Sequence, residues 1–483
     1  MSQNKPTSKP YIIILILLLA LAVRLVYLKA FHNEYFFVGL VCVEAELAKS
    51  LIEGRGHVIY PTSYCNSLNE KKKLIDIEDF HGKIIGKPQP IIQDMPGYAY
   101  LLAFTWKIFG EKRYIYIQII QVLLDVFCCY LLFRLATLLY GVRVGMLSAF
   151  LYATYFPQAR LAVAALRDIW STLVLIPLMF LIVREIKKYG IRISLPTYLA
   201  AGVLLGVDYY IRGSSILLPV FLSAGILLVT KSLKKSICAF AVMTLVMIVF
   251  MSPWIYRNYR VFNHLILTRP VMGQGLWEGL GLVKNPFGAV LDDGITWKQA
   301  VGEGYRGGYG TYEYNKFLMK KAITAIKEHP DIYFKAIALR TLYGTVLLCP
   351  NNYLYKFGQK YTYTEYKKKH NKSRMEFIKE KPHFFLIRLF VFILYMIYKV
   401  FERLLFFLML AGFFLSLRHW RINLLVLSVP IYYLATTIPT HLEPRYILIS
   451  TFPYLILSSI FIIYIYIKLF RVDTNISKES FYL

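Results

Sequence analysis

Long apolar stretches alternate with polar loops along almost the whole chain. They recur from Tyr11 to Phe470, and several reach the roughly 20 residues that a helix needs to cross a bilayer. A water-soluble fold would have to hide such stretches from solvent, whereas a bilayer accepts them. The pattern therefore predicts an all-α polytopic membrane protein with about ten transmembrane helices.

The charge of the loops indicates on which side of the membrane each apolar stretch begins and ends. Lys5 and Lys9 precede the first one, and three later short loops are basic: the loop at Arg143, residues 184–192 and residues 231–235. Because basic loops stay in the cytoplasm, both termini and these loops are predicted to face inward. The predicted spans are 11–30, 114–138, 144–164, 168–185, 195–211, 213–230, 236–253, a crossing within 384–417, 422–438 and 447–468.

Two long polar regions fall on the outer side of this topology. The chain is predicted to comprise an N-terminal transmembrane module at 1–253, an outer-face loop and helical region at 254–383, and C-terminal transmembrane helices at 384–483. The first module carries the long outer loop 31–112, and Lys367 to Lys369 mark a solvated stretch in the second region. Strand signals are too few for an independent β domain, so we expect both outer regions to cap one membrane face with short helices.

The net charge is strongly positive, with 56 Lys and Arg against 28 Asp and Glu. In a soluble protein this balance suggests nucleic acid, but in a membrane protein basic residues fix the topology and meet anionic lipid. We therefore expect membrane lipids, and no nucleic acid, as partners. The six cysteines show no metal-ligand spacing. Cys42 and Cys65 share the first outer loop, where either a disulfide or two free thiols would fit the sequence.

Acids, arginines and aromatic residues gather on the predicted outer side. Charged side chains near membrane depth are costly, so their presence suggests function. A carboxylate there could act as a general base, and arginines could bind a phosphate bidentately. Acids that hold a divalent cation are an alternative, which leaves a metal site undecided. The candidates are Glu44, Glu46, Asp94, Asp168, Arg212, Arg257, Asn258, His441, Arg445 and Tyr446.

Several of these residues also have a plain structural explanation. Arg212 or Arg257 alone could anchor the chain at the membrane interface. Asp168 could be favoured simply by the positive end of a helix dipole. Glu44 could face water from an amphipathic helix that lies on the membrane surface. Convergence of all of them on one face favours a shared functional site over these separate explanations.

Five segments, in order along the chain, resemble one family. They read VEAELAKSLIEGRGH (43–57), MPGYAYLLAFTWKIFG (95–110), SPWIYRNYRVFNHLILTRPVMGQGLWEG (252–279), KAITAIKEHPDIYFKAIALR (321–340) and HLEPRYILISTFPYLIL (441–457). Together they look like the GT-C glycosyltransferases that include the protein O-mannosyltransferases and the aminoarabinose transferase of lipid A. The resemblance implies a GT-C fold with outer-face juxtamembrane helices, in a multi-pass protein of the bacterial plasma membrane.

The resemblance also implies an activity and roles for individual residues. It implies inverting transfer of a sugar from a polyprenyl-phosphate donor to an outer-face acceptor, which could be a glycolipid, a glycan or a protein. The catalytic acid of the first loop falls on Glu44, with Glu46 as second choice, and Asp168 matches a second outer acid. This chain departs from the family in having Gly213 after Arg212, where a proline is frequent. Asp94 stands where many members have a lysine before the paired prolines.

Two other functions remain open at this point. One is an O-antigen ligase or polymerase, which would use a polyprenyl-diphosphate glycan. The other is a transporter or flippase of lipid-linked glycan, which should show repeat symmetry and polar helices at the bilayer midplane. This chain shows neither clearly. The segment 43–57 and the Arg-Asn and Arg-Tyr segments favour the glycosyltransferase.

Overall fold

The computed structural model describes residues 10–34, 38–60, 62–71, 73–84, 87–92, 94–189, 194–346, 373–380 and 382–470. Lys5, Lys9 and the predicted solvated stretch at 367–369 lie outside these residues. Within these residues the fold is helical, apart from one antiparallel pair of two-residue strands, β1 (Val58–Ile59) and β2 (Gln89–Pro90), and an isolated bridge between Thr62 and Ile84. The helices of the first half are α1 (Pro10–Phe31), α2 (Val38–Ile52), α3 (Tyr64–Lys71), α4 (Gly97–Phe109), α5 (Tyr114–Tyr140), α6 (Val142–Thr154), α7 (Phe156–Val163), α8 (Asp168–Tyr189), α9 (Leu195–Arg212), α10 (Leu218–Thr230) and α11 (Leu233–Phe262).

The second half is also built from helices, among them the longest of the described chain. They are α12 (Met272–Leu280), α13 (Asp293–Gly302), α14 (Tyr312–Glu328), α15 (Pro330–Thr345), α16 (Arg374–Glu380), α17 (Pro382–Leu415), α18 (Trp420–Thr437), α19 (Pro444–Leu448) and α20 (Phe452–Leu469). A short 3-10 turn, Leu417–His419, separates α17 from α18. The two outer regions of the predicted topology thus contain short helices.

In the described part of the chain, five helices are long and apolar enough to cross a membrane, namely α1, α5, α8, α11 and α20. A bent pair formed by α17 and α18, at 80° to each other, raises the number to six if the pair counts as one span. Two further apolar helices, α6 and α10, have 13 residues each and are too short for that test. The predicted all-α polytopic membrane fold is confirmed, but about ten spans are not.

Two predicted spans differ in the structure for a clear physical reason. The stretch 144–164 is two helices, because the backbone at Tyr155 is extended and Pro157 begins a new helix. The stretch 213–230 forms a helix only from Leu218 onward. Gly213 ends α9 in the left-handed conformation, at φ +71°, and Pro219 occupies the first turn of α10. Hydropathy does not register these breaks, since the side chains around them stay apolar.

Small residues let some of the long helices pack closely. Gly202 and Gly206 lie four residues apart on α9 and face α11. A Cβ added at Gly202 would lie 2.7 Å from the Cβ of Val246, and one added at Gly206 would lie 2.7 Å from the Cβ of Phe250. Such small-residue pairs are a common way to bring helix backbones together in a bilayer, where the hydrophobic effect does not drive association.

A fully buried ion pair holds α1 against the centre of the bundle. Arg24 Nε lies 2.7 Å from Asp125 Oδ2, and both side chains are completely buried. Arg24 also donates to the carbonyl oxygens of Tyr152 and Ala153, at 3.2 and 2.5 Å. Both carbonyls belong to the last turn of α6, where the helix ends and its carbonyls lose the partners of a continuing helix; the Tyr152 oxygen also accepts from the Tyr155 N–H, at 3.2 Å. Arg24 therefore stabilises the end of α6 as well as neutralising Asp125.

Breaking this pair is expected to destabilise the protein strongly. Replacing Arg24 by Gln, or Asp125 by Asn, leaves one charge buried without its partner, which typically costs about 3–5 kcal/mol. Thermal unfolding of the purified protein measures the loss. The control is Arg134→Gln, because Arg134 is exposed on the same helix as Asp125 and its described contacts are with the neighbouring Tyr130 side chain. Equal unfolding temperatures for the Asp125 and Arg134 variants would contradict a stabilising role of the pair.

Candidate active site

Helix α2 places Glu44 in the interior of the protein. Its apolar face, which includes Ala45 and Ala48, packs into a core shared with α3 and α4. A disulfide joins Cys42 to Cys65 and so ties α2 to α3. The question that the sequence left open is thereby answered in favour of the disulfide. Glu44 lies two residues beyond Cys42 and is only 1% exposed.

The disulfide is expected to fix α2, and with it Glu44. Replacing both Cys42 and Cys65 by Ser removes a cross-link across 23 residues of sequence, which typically lowers stability by about 2–4 kcal/mol. Thermal unfolding under oxidising and reducing conditions measures this. Cys238→Ser is the control, since Cys238 is an exposed free thiol. A reducing agent should lower the unfolding temperature of the wild type and of the control, but not that of the double variant. An unchanged unfolding temperature of the wild type after reduction would contradict a stabilising role of the disulfide.

Two glutamines of α5 fix the turn between α7 and α8. Gln118 Nε2 donates to the Val163 oxygen at 2.9 Å. Gln121 Nε2 donates to the oxygens of Ala162 and Ala164, at 3.1 and 2.7 Å. These bonds satisfy carbonyls that the end of α7 leaves free. The turn that they fix carries Arg167 and leads into Asp168, the first residue of α8.

Arg167 binds two acids of the first outer loop at once. Its Nη1 atom lies 2.5 Å from Asp94 Oδ1 and 3.3 Å from Glu44 Oε1. Arg269, from the loop before α12, also approaches Asp94, with 3.4 Å between Nη1 and Oδ1. The second oxygen of Glu44, Oε2, is buried and has no hydrogen-bond partner among the described residues. Glu44 therefore keeps one oxygen free for another group.

Asp168 connects this group to the loop before α20. Arg212 Nη1 lies 3.1 Å from Asp168 Oδ1, and Arg445 Nη1 lies 3.3 Å from Asp168 Oδ2. Arg445 also binds Glu443, with 2.7 Å between Nε and Oε2, and the Tyr446 hydroxyl donates to Glu443 at 2.9 Å. We call the whole set the acid–arginine cluster, which consists of Glu44, Asp94, Arg167, Asp168, Arg212, Arg269, Glu443 and Arg445.

Burial and neighbouring charges move the pKa values of the acids in opposite directions. Burial raises the pKa of Glu44 to about 8, although Arg167 opposes this. Burial also acts on Asp94, but Arg167 and Arg269 outweigh it and hold the pKa of that carboxyl below its usual value. The pKa of Glu443 is likewise lowered, because the contacts with His441 and Arg445 outweigh its burial. Near neutral pH Glu44 therefore carries a proton while Asp94 and Glu443 are ionised.

Positive charge is in excess in the cluster under these conditions. Four arginines face three carboxylates, those of Asp94, Asp168 and Glu443, while Glu44 is neutral. Burial and the nearby charges of Arg167 and Arg212 lower the pKa of Arg269, so its own charge is poorly compensated. Arg269 is also the most accessible of the four, because 23% of its side chain is exposed against 4% for Arg167, 8% for Arg212 and 12% for Arg445. An anion would be attracted to Arg269 first.

The structure brings most of the predicted site residues together, but not all of them. Glu46 turns towards Thr62, whose hydroxyl donates to it at 2.5 Å. Arg257 donates to the oxygens of Ile91 and His57, at 2.7 and 3.0 Å, and so ties down the first outer loop. Asn258 donates to the Ile266 oxygen at 3.5 Å. Arg257 and Asn258 thus bind backbone near the cluster, Glu46 binds a side chain, and none of the three is part of the cluster.

The remaining predicted residues lie at the rim of the cluster. His441 Nε2 is 3.3 Å from Glu443 Oε1. The Tyr446 ring faces Arg212, with 4.6 Å between its centroid and the guanidinium carbon. Sequence reasoning missed Arg269 altogether. The only signal for it was an arginine between a short apolar run and Pro270, which is common at loop boundaries.

The acids of the cluster bind arginines rather than one another. Within the described part of the chain, no group of three or more His, Cys, Asp or Glu side chains is arranged to hold a metal ion. Arg167 lies between Glu44 and Asp94, and Asp168 is shared by Arg212 and Arg445. The arrangement is suited to binding an anion and to exchanging a proton at Glu44.

Part of the chain matches a known family of membrane glycosyltransferases. Residues 88–256 match the family model described as dolichyl-phosphate-mannose-protein mannosyltransferase, about a third of the chain. This stretch contains Asp94, Asp168 and Arg212. No curated protein sequence matches the chain significantly.

Several solved structures are similar to the whole chain. The apo oligosaccharyltransferase of Archaeoglobus fulgidus matches with a TM-score of 0.51 and 13% identity, over 99% of this chain and 53% of that one. The same archaeal enzyme, AglB, in complex with an inhibitory peptide and a dolichol-phosphate matches with a TM-score of 0.50 and 13% identity, over 98% and 52%. ArnT from Cupriavidus metallidurans bound to undecaprenyl phosphate gives a TM-score of 0.37 and 13% identity, over 94% and 77%.

The chain spans about half the length of the archaeal structures. At such low sequence identity, the likeness to them is one of fold. Together with the family match, it confirms the resemblance to the GT-C superfamily that the five sequence segments indicated.

Proposed function

We propose that this chain of GT-C fold is a membrane glycosyltransferase that moves a sugar from a polyprenyl-phosphate donor to an acceptor on the outer face of the bacterial plasma membrane. The observation that carries the proposal is the acid–arginine cluster, in which surplus positive charge lies beside a buried carboxyl of raised pKa. The matching family is named for a lipid-phosphate sugar, and the archaeal structure of similar fold holds a dolichol-phosphate.

The donor phosphate is assigned to the arginine side of the cluster. Arg269 is the most exposed cluster arginine and has one weak acidic contact, at 3.4 Å from Asp94. A planar guanidinium binds two phosphate oxygens at once, and positive charge stabilises the phosphate as it leaves. Arg167 lies within reach of both Asp94 and Glu44, so phosphate binding can reorganise that contact. His441, Arg445 and Tyr446 then border the donor site, and Asp94 orients the two arginines.

Glu44 is assigned the role of general base. The acceptor hydroxyl attacks the anomeric carbon on the face opposite the phosphate, which inverts the configuration. The proton of that hydroxyl passes to Glu44, the bond between carbon and phosphate oxygen breaks, and polyprenyl phosphate leaves with the bonding electrons. Glu44 suits this role because Oε2 is free and because its pKa, about 8, lies near neutral pH. Asp168, held by two arginines, fixes the wall of the site rather than taking the proton.

The pH dependence of transfer should report this base. The pKa of Glu44 is raised to about 8, so its reactive carboxylate form increases as the pH rises through that value. We expect kcat/KM to rise by about tenfold per pH unit below this value and to level off above it. Asp94, whose pKa is lowered, stays ionised over this range and therefore adds no further change to the pH profile of kcat/KM. The measurement is kcat/KM from about pH 6 to about pH 9, and a flat profile would exclude Glu44 as the base.

The test of the function is a comparison of donors. The purified protein, in lipid nanodiscs, is given a synthetic polyprenyl-phosphate sugar or a polyprenyl-diphosphate glycan, each with a panel of glycolipid, glycan and peptide acceptors. We expect sugar transfer and release of polyprenyl phosphate with the first donor only. Turnover of the diphosphate alone would indicate a ligase or polymerase. Movement of intact donor across the bilayer without transfer would indicate a flippase.

A further inference from the structure

A basic cavity lies at the end of α18 that is remote from the acid–arginine cluster. It has a volume of about 200 Å³ and is lined by Val229, Arg418, His419, Trp420, Arg421 and Ile422. Val229 is near the end of α10, and the other five residues lie where α17 turns into α18. The 18 residues of α18 separate the cavity from the cluster residues after Thr437, a length of about 27 Å, close to the thickness of a bilayer core.

No acid among the described residues compensates the charge of this cavity. None of the residues that line it is acidic. Arg418 and Arg421 make no ion pair with any acid of the described chain; the Arg421 guanidinium instead lies over the Trp420 ring, 5.2 Å from its centroid. Lys231, Lys234 and Lys235 follow Val229 closely in sequence and add positive charge at the same end of the bundle. Such a site attracts a phosphate group.

The cavity wall is held in shape by a buried polar network. Asn423 Nδ2 donates to Ser416 Oγ at 2.8 Å, and the Tyr140 hydroxyl donates to Asn423. The His419 ring packs edge-on against Tyr140, with 6.4 Å between centroids. These contacts join the turn before α18 to the end of α5. The two arginines are therefore presented from a fixed backbone rather than from a loose basic tail.

We infer that this cavity binds the phosphate of an anionic phospholipid in the leaflet opposite the acid–arginine cluster. Basic side chains such as those that line the cavity suit the headgroup level of a bilayer rather than its hydrocarbon core, and Trp420, which is 38% exposed, is of the residue type that anchors helices at that level. A basic pocket between membrane helices is a recurring way to hold such headgroups. This inference does not depend on the proposed glycosyltransferase activity.

The test measures lipid retained by the purified protein. Wild type, Arg418→Gln/Arg421→Gln and Arg143→Gln are placed in nanodiscs of phosphatidylcholine with a small fraction of phosphatidylglycerol, and bound phosphatidylglycerol is counted by native mass spectrometry. Arg143 is the control because it is exposed at the same end of the bundle but does not line the cavity. We expect affinity for phosphatidylglycerol to fall about thirtyfold in the double variant, since each arginine contributes about fivefold, and to stay near wild type in the control.

Two further measurements distinguish loss of lipid binding from loss of fold, and a lipid headgroup from free phosphate. Arg418→Lys/Arg421→Lys preserves the charge and should retain the lipid within a few fold, which separates loss of binding from loss of fold. Inorganic phosphate, added to wild type in phosphatidylcholine alone, should not bind measurably, because the lipid headgroup is held at the membrane surface. Equal retention by the double glutamine variant and the control would overturn the inference. Binding of inorganic phosphate without retention of phosphatidylglycerol would overturn the assignment to a lipid.

Discussion

Replacing Glu44 with glutamine is expected to slow sugar transfer by about 10²- to 10⁴-fold, the usual loss when a general base is removed. Glutamine keeps the size of the side chain and can still accept a hydrogen bond from Arg167, which lies 3.3 Å from Glu44 Oε1. It cannot take a proton from the acceptor. Because Glu44 is itself neutral near neutral pH, the substitution should leave folding and donor binding almost unchanged.

Glu46→Gln is the matched control for this variant. Glu46 lies on the same helix two residues away, but its carboxylate binds Thr62 outside the cluster. We expect its activity to stay within a few fold of wild type. The measurement is the rate of transfer from a polyprenyl-phosphate sugar at saturating donor. Full activity in Glu44→Gln with loss of activity in Glu46→Gln would identify Glu46 as the base. Full activity in both variants would show that neither acid of α2 acts as the base.

Replacing Arg269 with alanine is expected to raise the KM for the donor by roughly 10- to 100-fold, since a hydrogen bond to a charged group is worth about 1.5–3 kcal/mol. Arg269→Lys should recover only part of the loss, because an ammonium group gives a point charge where the guanidinium gives two parallel hydrogen bonds. The stability of the protein should change little. Among the described residues, the acidic contact of Arg269 is Asp94, which Arg167 holds more closely.

Arg260→Ala serves as the control for Arg269. Arg260 is exposed on α11, and its contacts among the described residues are with the Tyr256 side chain on the same helix. Donor KM, acceptor KM and unfolding temperature are measured for both variants. A large drop in the unfolding temperature of Arg269→Ala, with unchanged donor KM, would show that Arg269 is structural and that the phosphate binds elsewhere.

The convergence of the site could be predicted from sequence because it follows from topology. Apolar stretches gave the positions of α1, α5, α8, α11 and α20, and the basic loops assigned their direction. The resulting alternation of inner and outer loops placed Glu44, Asp168, Arg212 and Arg445 on the same side of the membrane. In the structure, Glu44 contacts Arg167, and Arg212 and Arg445 both contact the adjacent residue Asp168. No long-range contact had to be known for this inference.

Other features depend on local geometry that sequence patterns do not record. Residues two apart on a helix point in nearly opposite directions, so the choice between Glu44 and Glu46 depends on how α2 is rotated, which the disulfide and its packing determine. Arg269 lies in an irregular loop, where periodicity gives no direction for a side chain. The break at Tyr155 was hidden by apolar neighbours, and only Pro157 pointed to it.

The most direct measurement for the proposed function is a cryo-electron microscopy structure of the protein in nanodiscs with bound polyprenyl phosphate. We expect the phosphate to lie within hydrogen-bonding distance of the Arg269 guanidinium and on the side of the cluster that faces Glu44, with the lipid chain leaving towards the bilayer. The bound lipid should be lost in Arg269→Ala and kept in Glu44→Gln. A phosphate bound away from the acid–arginine cluster, or one retained fully in Arg269→Ala, would contradict the proposal.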